Sequence, residues 1–486
     1  MSASTKTQTL AALQVRPVCH VIDGRLVGSE RSADVIDPAT GQPFGRCPQA
    51  SPDQLDAAVA AARRAQPAWA ARPLAERRNC LHRLADAILA HEPELAALIT
   101  LEQGKPLKDA HAEVARAASQ IRLLTELVIE TEVVRDDARG RVELRYRPLG
   151  VVGAITPWNM PLVLSVPKIA HALYTGNVIV LKPSPYAPLA TLRLGELAHD
   201  LFPPGVLNVL AGDHALGQHI SEHPGIDKIS FTGSIATGKR VMASAAGTLK
   251  RVTLELGGND AAIVLDDVDP EAIAPKLFAG AFVNCGQVCM AIKRLYVHAD
   301  IYEPLVDALG RIARATRVGN GFDPDVQLGP VQNLAQFKIV QDILDDTRRA
   351  GARFVAGGHA LEGGQGYFIE PTIVADITEG TRLVDEEPFG PVLPVIRFTD
   401  VDDALSRANS TRFGLGGSVW SRNVERAAAI AARLEAGTAW VNHHVGADAQ
   451  VPFGGAKQSG RGREYGKAGL REYMEEMAVF IPSSRL

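Results

Sequence analysis

The feature that most constrains the fold is a series of short, continuously apolar segments in the middle of the chain. They lie at residues 151–155, 177–181, 206–210, 228–231 and 252–256. Most of them are separated from the next by a stretch long enough for one helix and its turns. Strands buried on both faces are continuously apolar, and their alternation with helices is typical of a parallel sheet. The pattern predicts an α/β fold with a doubly wound sheet.

The flanking regions predict further helices and a second α/β unit. Residues 52–129 have apolar residues three and four positions apart, as amphipathic helices do. Another α/β stretch follows at residues 261–442. Its predicted elements are helices at 271–282 and 337–350 and strands at 291–297 and 392–398. Because 486 residues exceed what a single hydrophobic core usually serves, we expect two lobes packed closely together.

Two segments outside these lobes have the character of exposed strands. Residues 139–141 form a predicted turn, and alternating apolar and polar residues follow at 142–146, which predicts a projecting hairpin. Residues 477–481 are apolar, and no strand of their own domain is left to pair with them. An exposed strand edge of this kind favours pairing with a second chain.

Charge and cysteine content exclude several classes of protein. The chain has 51 Lys and Arg against 55 Asp and Glu, so we expect no nucleic-acid partner. Its five cysteines lack the spacing of a zinc site, and we expect a reducing compartment and no metal. No segment has the apolar length of a membrane span or a signal peptide. We therefore predict a cytoplasmic protein whose first 22 residues are a frayed terminus.

The glycine-rich segment 228–240 contains the spacing GxxxxGK of a P-loop. Arg240 occupies the position where a Ser or Thr hydroxyl would hold magnesium, so a nucleoside triphosphatase is disfavoured. Gly233 and Ser234 precede a predicted helix, whose N-terminus favours a phosphate group. The alternative is a turn glycine followed by an N-cap serine.

Three reactive side chains are expected to share one crevice. Cys285 and Cys289 lie four residues apart, although a buried cysteine is most often a small hydrophobic residue. Glu255 stands at the end of one predicted strand, and Asn159 follows another at the equivalent position. In α/β sheets, ligands bind at the carboxyl edge of the strands, so these groups are expected to meet there.

Several strings along the chain together resemble the aldehyde dehydrogenase superfamily. In chain order they are TPWNMP at 156, GNVIVLKPSP at 176, FTGS at 231, LELGGND at 254, NCGQVCMA at 284, EEPFGPV at 386, WVN at 440 and PFGGAKQSGRGRE at 452. The resemblance implies two doubly wound Rossmann-like domains and a small β-ribbon oligomerisation element. The implied segments are 1–129 with 149–256 for NAD(P) binding, 257–457 for catalysis, and 130–148 with 466–486 for the ribbon.

The resemblance also implies the catalytic roles. Cys289 matches the nucleophile, which forms a thiohemiacetal and then a thioester. Asn159 matches the oxyanion donor, acting with the backbone N–H of Cys289, and loss of one such donor costs about a hundredfold in turnover. Glu255 matches the base that activates water for hydrolysis. Relatives that acylate coenzyme A typically lack this glutamate, so a free carboxylic acid is the expected product.

The cofactor positions carry over in the same way. Lys182 matches the residue that binds the adenosine ribose, Gly233 and Ser234 the pyrophosphate site, and Glu387 and Phe389 the nicotinamide site. Two further residues matched to the cofactor site are Trp158 and Lys168. For Lys168 the alternative is a salt-bridged lysine on the surface.

One position departs from the NAD-preferring pattern. Relatives that prefer NAD usually have a glutamate three residues after the ribose lysine, where it repels a 2′-phosphate; here that residue is Pro185. Discrimination often needs such an unfavourable contact. We therefore expect NAD as the cofactor with weakened selectivity, so that NADP is also possible.

The residues matched to the substrate mouth are mostly apolar. They are Met160, Leu164, Val288, Met290 and Phe453. An uncharged aliphatic or aromatic aldehyde suits such a lining better than a carboxylate-bearing one, which needs a buried cation. His443 and His444 are either substrate contacts or part of a surface loop.

The remaining predictions concern subunit assembly, the substrate and two alternative functions. In the family that the chain resembles, the ribbon and the C-terminal strand build the subunit interface, which implies a homodimer or homotetramer; the implied substrate is a small-molecule aldehyde. One alternative is a cysteine-dependent esterase or acyl transferase that uses no nicotinamide. The other is a dinucleotide-binding protein without enzymatic activity on the same scaffold.

Overall fold

The computed structural model describes residues 17–361 and 365–483, so most of the predicted frayed terminus lies outside the described residues. These residues form strands at every predicted position. In chain order the strands are β1 His20–Ile22, β2 Arg25–Val27, β3 Ser32–Asp37, β4 Gln42–Pro48, β5 Glu132–Asp137, β6 Gly140–Pro148, β7 Val151–Ile155, β8 Val178–Lys182, β9 Leu207–Val209, β10 Lys228–Thr232, β11 Arg251–Glu255, β12 Asp260–Val264, β13 Ile292–His298, β14 Arg353–Ala356, β15 Thr372–Ala375, β16 Val392–Phe398, β17 Gly416–Trp420, β18 Thr438–Val441, β19 Gly460–Arg461 and β20 Met474–Ile481.

Helices connect most of these strands and cover the sheets. In chain order the α-helices are α1 Pro52–Ala70, α2 Leu74–Ala90, α3 Glu92–Gln103, α4 Leu107–Leu124, α5 Pro161–Tyr174, α6 Leu189–Ala198, α7 His214–Glu222, α8 Ile235–Ala246, α9 Pro270–Phe282, α10 Tyr302–Ala315, α11 Leu334–Arg349, α12 Arg382–Asp385, α13 Val401–Asn409, α14 Val424–Ala431 and α15 Gly466–Arg471. None of the helices in the described part of the chain has the length and apolar character that a membrane crossing requires.

The first sheet has eight strands in the order β19-β11-β10-β7-β8-β9-β1-β2. Its five central strands are parallel, and they are the five apolar segments from which the sheet was predicted. Their registers place Ile155 beside Lys182 and Thr232 beside Glu255. The carboxyl ends of these strands therefore form one edge, which carries both Lys182 and Glu255.

The second sheet has seven strands in the order β14-β15-β16-β13-β12-β17-β18. All neighbours are parallel except β14 and β15. The loop that contains Cys289 lies between α9 and β13, at the start of a central strand. The prediction of an α/β fold with two doubly wound sheets is confirmed.

A separate three-stranded sheet has the order β20-β6-β5. Strand β20 pairs antiparallel with β6 along its whole length, from Met474 opposite Pro148 to Ile481 opposite Arg141. Residues 477–481 were expected to have no strand of their own domain to pair with; they pair with β6 of the same ribbon, so this expectation is wrong. The ribbon segment predicted at 466–486 also begins with a helix, α15. The outer edge of β20 remains open, and Phe480 on this strand is 72% exposed.

Candidate active site

One cavity brings together the three side chains for which catalytic roles were predicted. Cys289, Glu255 and Asn159 all line it, although they come from different elements. The five residues predicted for the substrate mouth line the same cavity: Met160, Leu164, Val288, Met290 and Phe453. Its walls also contain Arg116, Glu464 and Tyr465, to which the sequence analysis gave no role.

The loop before Cys289 has an unusual backbone. Asn284, Cys285 and Gly286 are consecutive residues with positive φ, at 52°, 59° and 71°. Residues other than glycine rarely adopt this conformation, and it persists only where the surroundings enforce it. The side chain of Gln287 provides such an anchor: its Nε2 donates to the carbonyl oxygen of Asn284 at 3.0 Å, and its Oε1 accepts from the backbone N–H of Gln332 at 2.8 Å.

The two thiols of this loop have different environments. Cys285 is buried, whereas Cys289 is partly exposed where it borders the cavity. Desolvation raises the pKa of the Cys289 thiol to about 12, and the positive charge of Lys293 opposes this shift. Negative charge on Glu255 and Glu387 acts in the same direction as desolvation. The thiol therefore depends on an activating group to become a nucleophile near neutral pH.

Asn159 is fixed from both sides. Its backbone carbonyl accepts from Lys105 Nζ at 3.2 Å and from Asn284 Nδ2 at 2.9 Å. Its own Nδ2 donates to the carbonyl of Gln287 at 2.9 Å. A side-chain amide has two N–H groups, so this bond leaves the second one for a ligand in the cavity. Lys105 is held in turn by a buried ion pair with Glu113.

Glu255 presents a carboxylate oxygen without a partner. Within residues 17–361 and 365–483, no group hydrogen-bonds the buried Oε1 atom. A Cβ atom on Gly454 would lie 2.8 Å from this oxygen, so the glycine leaves the space that the side chain needs. Desolvation, followed by the charge of Glu464, raises the pKa of Glu255 well above its ordinary value. A carboxylate in this state is suited to accept a proton from a bound water.

Lys168 forms a buried ion pair below Glu255. Its Nζ atom pairs with Glu464 and donates to Ser230 Oγ at 3.2 Å, and the residue is 1% exposed. Lys168 was predicted to be either a cofactor contact or a salt-bridged surface lysine. It is salt-bridged, but it is buried and not on the surface, and the cofactor contact stays a prediction. Glu464 is the last residue of the string PFGGAKQSGRGRE, so the signal was present but without an assigned role.

The carboxyl edge of the first sheet carries the residues predicted to bind adenosine and pyrophosphate. Lys182 ends β8, is buried, and has its pKa lowered to about 8 by desolvation. Ser234 is the N-cap of α8, because its Oγ accepts from the backbone N–H of Thr237 at 3.2 Å. Gly233 precedes it without a side chain, so the helix N-terminus is accessible to an anion.

Glu387 and Phe389, on the second lobe, contact residues that follow strands β11 and β7 of the first sheet. Oε1 of Glu387 accepts from the backbone N–H of Gly258 at 3.2 Å. A Cβ on Gly257 would lie 2.0 Å from Oε2 of Glu387, so the carboxylate fits only over a glycine. Trp158 packs edge to face on Phe389, with ring centroids 5.4 Å apart. These residues form a cradle of glycine, carboxylate and aromatic faces that suits a nicotinamide nucleoside.

Pro185 lines a groove of about 520 Å³. The groove also contains one acidic and one basic side chain, Asp34 and Lys338. The wall at position 185 is apolar, so it carries no charge that would repel a phosphate. Pro185 is three residues beyond Lys182, which is the last residue of β8 and is predicted to bind the adenosine ribose.

The two histidines after strand β18 have different environments, and only His444 departs from both alternatives given for them. His444 is buried: its Nδ1 lies 2.7 Å from Ser418 Oγ, and its ring centroid is 4.9 Å from that of Trp440. Desolvation lowers the pKa of His444 to about 3, so the ring is neutral. It is neither a surface residue nor part of the cavity lining. His443 is exposed.

Arg116 is the cation that the sequence analysis did not foresee. Its Nη2 donates to the carbonyl of Ala447 at 2.9 Å, and the side chain borders the cavity. No carboxylate in the described part of the chain forms a salt bridge with it. Nothing in the spacing of α4 indicated that this helix reaches the cavity. Across residues 17–361 and 365–483, no cluster of three His, Cys, Asp or Glu side chains could hold a metal ion.

Comparison with known proteins gives one consistent result. A model of the aldehyde dehydrogenase family matches residues 26–479. The chain is 42% identical over 463 residues to aldehyde dehydrogenase LUC3 of Fusarium sp., covering 95% of this chain and 98% of that protein. It is 39% identical over 468 residues to betaine aldehyde dehydrogenase of Cereibacter sphaeroides, covering 95% and 96%.

The same result comes from solved structures. Betaine aldehyde dehydrogenase of Staphylococcus aureus in complex with NAD+ superposes with a TM-score of 0.95 at 33% identity, over 99% of this chain and 98% of that chain. The resemblance drawn from the motifs and the predicted Rossmann-like fold are thereby confirmed.

Proposed function

The chain belongs to the aldehyde dehydrogenase family and is an NAD(P)-dependent aldehyde dehydrogenase, and we propose that it forms a free carboxylic acid through an acylated Cys289. One observation carries the proposal. A single cavity contains a thiol, a side-chain amide with a spare N–H, and a buried carboxylate oxygen without a partner. Nucleophile, oxyanion donor and base are the three groups that this reaction requires.

In the proposed first half-reaction, the thiolate of Cys289 adds to the carbonyl carbon of the aldehyde. The carbonyl oxygen becomes negative, and the spare N–H of Asn159 with the backbone N–H of Cys289 stabilises it. Asn284 and Gln287 hold Asn159 in place beforehand, so little reorganisation is needed when charge develops. When bound, NAD(P)+ supplies the acceptor for the hydride that leaves the thiohemiacetal.

In the proposed second half-reaction, water hydrolyses the thioester on Cys289. Glu255 removes a proton from this water, and the acid leaves as the C–S bond breaks. The buried ion pair of Lys168 and Glu464 lies beside Glu255 and acts on its pKa: the charge of Glu464 raises it and the charge of Lys168 lowers it. The thiolate that leaves takes up the proton held on Glu255, so the thiol of Cys289 and the carboxylate of Glu255 are both restored.

The cofactor is proposed to lie between the two lobes. Lys182 would bind the adenosine ribose, Gly233 and Ser234 the pyrophosphate, and Glu387 and Phe389 the nicotinamide nucleoside. This assigns cofactor binding to residues 1–129 and 149–256, and the nucleophile to 257–457. Two observations support the assignment: Gly257 leaves space for the carboxylate of Glu387, and the N-terminus of α8 is accessible.

We expect Pro185→Glu to shift the cofactor preference toward NAD. A carboxylate at this position would repel a 2′-phosphate, and about 1.4 kcal/mol of repulsion corresponds to a tenfold change. The ratio of kcat/KM for NAD to that for NADP should therefore rise about tenfold. Pro185→Gln is the matched control, because it has similar size without charge and should leave the ratio nearly unchanged. Equal ratios in the two variants would contradict the role of charge at residue 185.

The substrate is proposed to be an aldehyde with an apolar aliphatic or aromatic body. The side chains of Met160, Leu164 and Phe453 form the apolar wall, and burying apolar surface there favours such a substrate. Arg116 adds one place where a hydrogen-bond acceptor on the substrate can be bound. Carboxylate-bearing and hydroxyl-bearing aldehydes therefore belong in any substrate panel beside the uncharged ones.

The test is an aldehyde panel assayed with each nicotinamide and followed by product analysis. We expect reduced nicotinamide and free acid in equal amounts, without coenzyme A. Release of an acyl thioester that depends on coenzyme A would contradict the hydrolytic half-reaction. Ester cleavage without nicotinamide reduction would favour the esterase alternative, and cofactor binding without turnover would favour the binding-protein alternative.

Assembly through the ribbon is proposed as well. The open edge of β20 and the exposed side chain of Phe480 support a homodimer or homotetramer formed by strand addition. We expect light scattering at micromolar concentration to give at least twice the mass of the chain. Phe480→Glu should shift the population toward the monomer, whereas Leu249→Glu, at another exposed apolar residue, should not. A monomer in the unmodified protein would overturn this proposal.

A further inference from the structure

Lys293 is a buried cation next to the proposed nucleophile, and the proposed reaction gives it no role so far. It is the second residue of β13, and its side chain is 3% exposed. Its Nζ atom donates to the carbonyl oxygens of Val288 and Cys289 at 2.8 and 2.6 Å. The same atom lies 3.2 Å from Oε1 of Glu387. The ammonium therefore contacts the nucleophile's own peptide and a carboxylate of the second lobe.

The contacts of Lys293 match its chemistry. An ammonium has three N–H donors and no acceptor, and three oxygens surround it here. An uncompensated buried charge is costly, so a lysine with this set of partners is confined to one position. The two carbonyls belong to the peptides on either side of the Cys289 α-carbon. Holding both fixes the direction of the Cα–Cβ bond that carries the thiol.

The other charged groups that shift the titration of the Cys289 thiol are acids. Glu255, Glu387 and Asp260 contribute negative charge or are protonated, and burial raises the pKa of Asp260 to about 7. His444 is neutral because desolvation lowers its pKa to about 3. Of the groups that shift the Cys289 titration, Lys293 is the one that favours the thiolate.

We infer that Lys293 is a positioning residue for the proposed reaction, one that orients the Cys289 peptide and supplies the positive potential that favours its thiolate. This inference rests on the proposed role of Cys289 as nucleophile. Lys293 itself transfers no proton and forms no bond with the substrate. Its contact with Glu387 joins the nucleophile loop to the carboxylate proposed to bind the nicotinamide ribose.

The experiment measures the reactivity of the thiol without turnover. The rate of alkylation of Cys289 by iodoacetamide is followed by peptide mass spectrometry against pH, on the full chain without cofactor. Because the thiolate fraction is small well below the pKa, a rise of one unit in the pKa lowers this rate tenfold. We expect Lys293→Met to lower the rate at pH 8 about tenfold and to move the profile to higher pH.

Three further variants isolate the cause. Lys293→Arg keeps the charge and the donors and should stay within about threefold of the unmodified rate. Lys293→Gln keeps two donors without the charge and should react like Lys293→Met, and it decides the question if the Met variant does not fold. Lys250→Met is the matched control, because Lys250 also donates to two backbone carbonyls, those of His223 and Ile226, but at the opposite end of β11 from Glu255.

Two results would overturn the inference. One is an alkylation profile in Lys293→Met, or in Lys293→Gln, that coincides with that of the unmodified protein. The other is an equal loss of reactivity in Lys250→Met, which would indicate general destabilisation. Failure of the proposed function is seen separately, because it shows in the turnover of Cys289 variants and leaves the alkylation profile of the unmodified chain as it is.

Discussion

Cys289→Ser is expected to reduce kcat for aldehyde oxidation by at least about 10⁴-fold, the scale on which loss of a catalytic nucleophile is felt. A serine hydroxyl ionises far less readily than a thiol and is a weaker nucleophile, and an ester is a poorer acyl intermediate than a thioester. The substitution changes one atom in the cavity, so the fold and cofactor binding should be retained. The measurement is steady-state formation of reduced nicotinamide at saturating aldehyde and cofactor.

Cys285→Ser provides the matched control for this result. Cys285 lies four residues earlier in the same loop, is buried, and has its thiol pKa raised to about 12 by desolvation. We expect its replacement to cost no more than about twofold in kcat, because its sulfur does not line the cavity. Retained activity in Cys289→Ser together with loss in Cys285→Ser would mean that the nucleophile was assigned to the wrong thiol.

Glu255→Gln is expected to reduce steady-state kcat by about 10²–10⁴-fold, the range of a general base, while leaving the first turnover largely intact. The amide cannot take a proton from water, so the acyl group stays on Cys289. Rapid-mixing experiments should therefore give a burst of reduced nicotinamide of about one equivalent per site. Mass spectrometry of the quenched protein should find the acyl adduct on the peptide that contains Cys289.

The pH dependence gives an independent check on the same residue. Burial and the charge of Glu464 raise the pKa of Glu255, so its basic form increases as pH rises through this elevated value. When hydrolysis limits turnover, kcat should rise with pH and reach a plateau. Glu464→Gln removes the neighbouring negative charge, lowers the pKa of Glu255, and should shift the rise to lower pH. A profile that is unchanged in both Glu255→Gln and Glu464→Gln would assign the base to another group.

The sheets could be predicted because their strands are buried on both faces. That burial makes each strand continuously apolar, as at Val151–Ile155, whose bounds the sequence indicated without error. The common edge of the parallel strands then explains why Glu255 and Asn159 were expected together. These inferences need only local pattern and the geometry of a parallel sheet.

The partners of buried charges could not be predicted in this way. Lys168 and Glu464 are 296 residues apart in the sequence, and nothing local to either of them indicates the other. In the sequence, Lys293 is simply a lysine near the start of a predicted strand, and nothing there indicates its three oxygen contacts. The pairing of β6 with β20 joins segments about as distant, with Tyr146 and Glu476 separated by 330 residues. Long-range pairing follows from tertiary packing, which periodicity does not encode.

The left-handed backbone at Gly286 has a consequence for the architecture of the crevice. A Cβ atom on this residue would lie 2.2 Å from the carbonyl oxygen of Gly390, next to Phe389. The main chain of the loop that contains Cys289 thus packs directly against the main chain next to Phe389. A methyl group on residue 286 would clash with Gly390 and force the two segments apart. The spacing between the loop that contains Cys289 and the segment that contains Phe389 therefore depends on a residue that has no side chain.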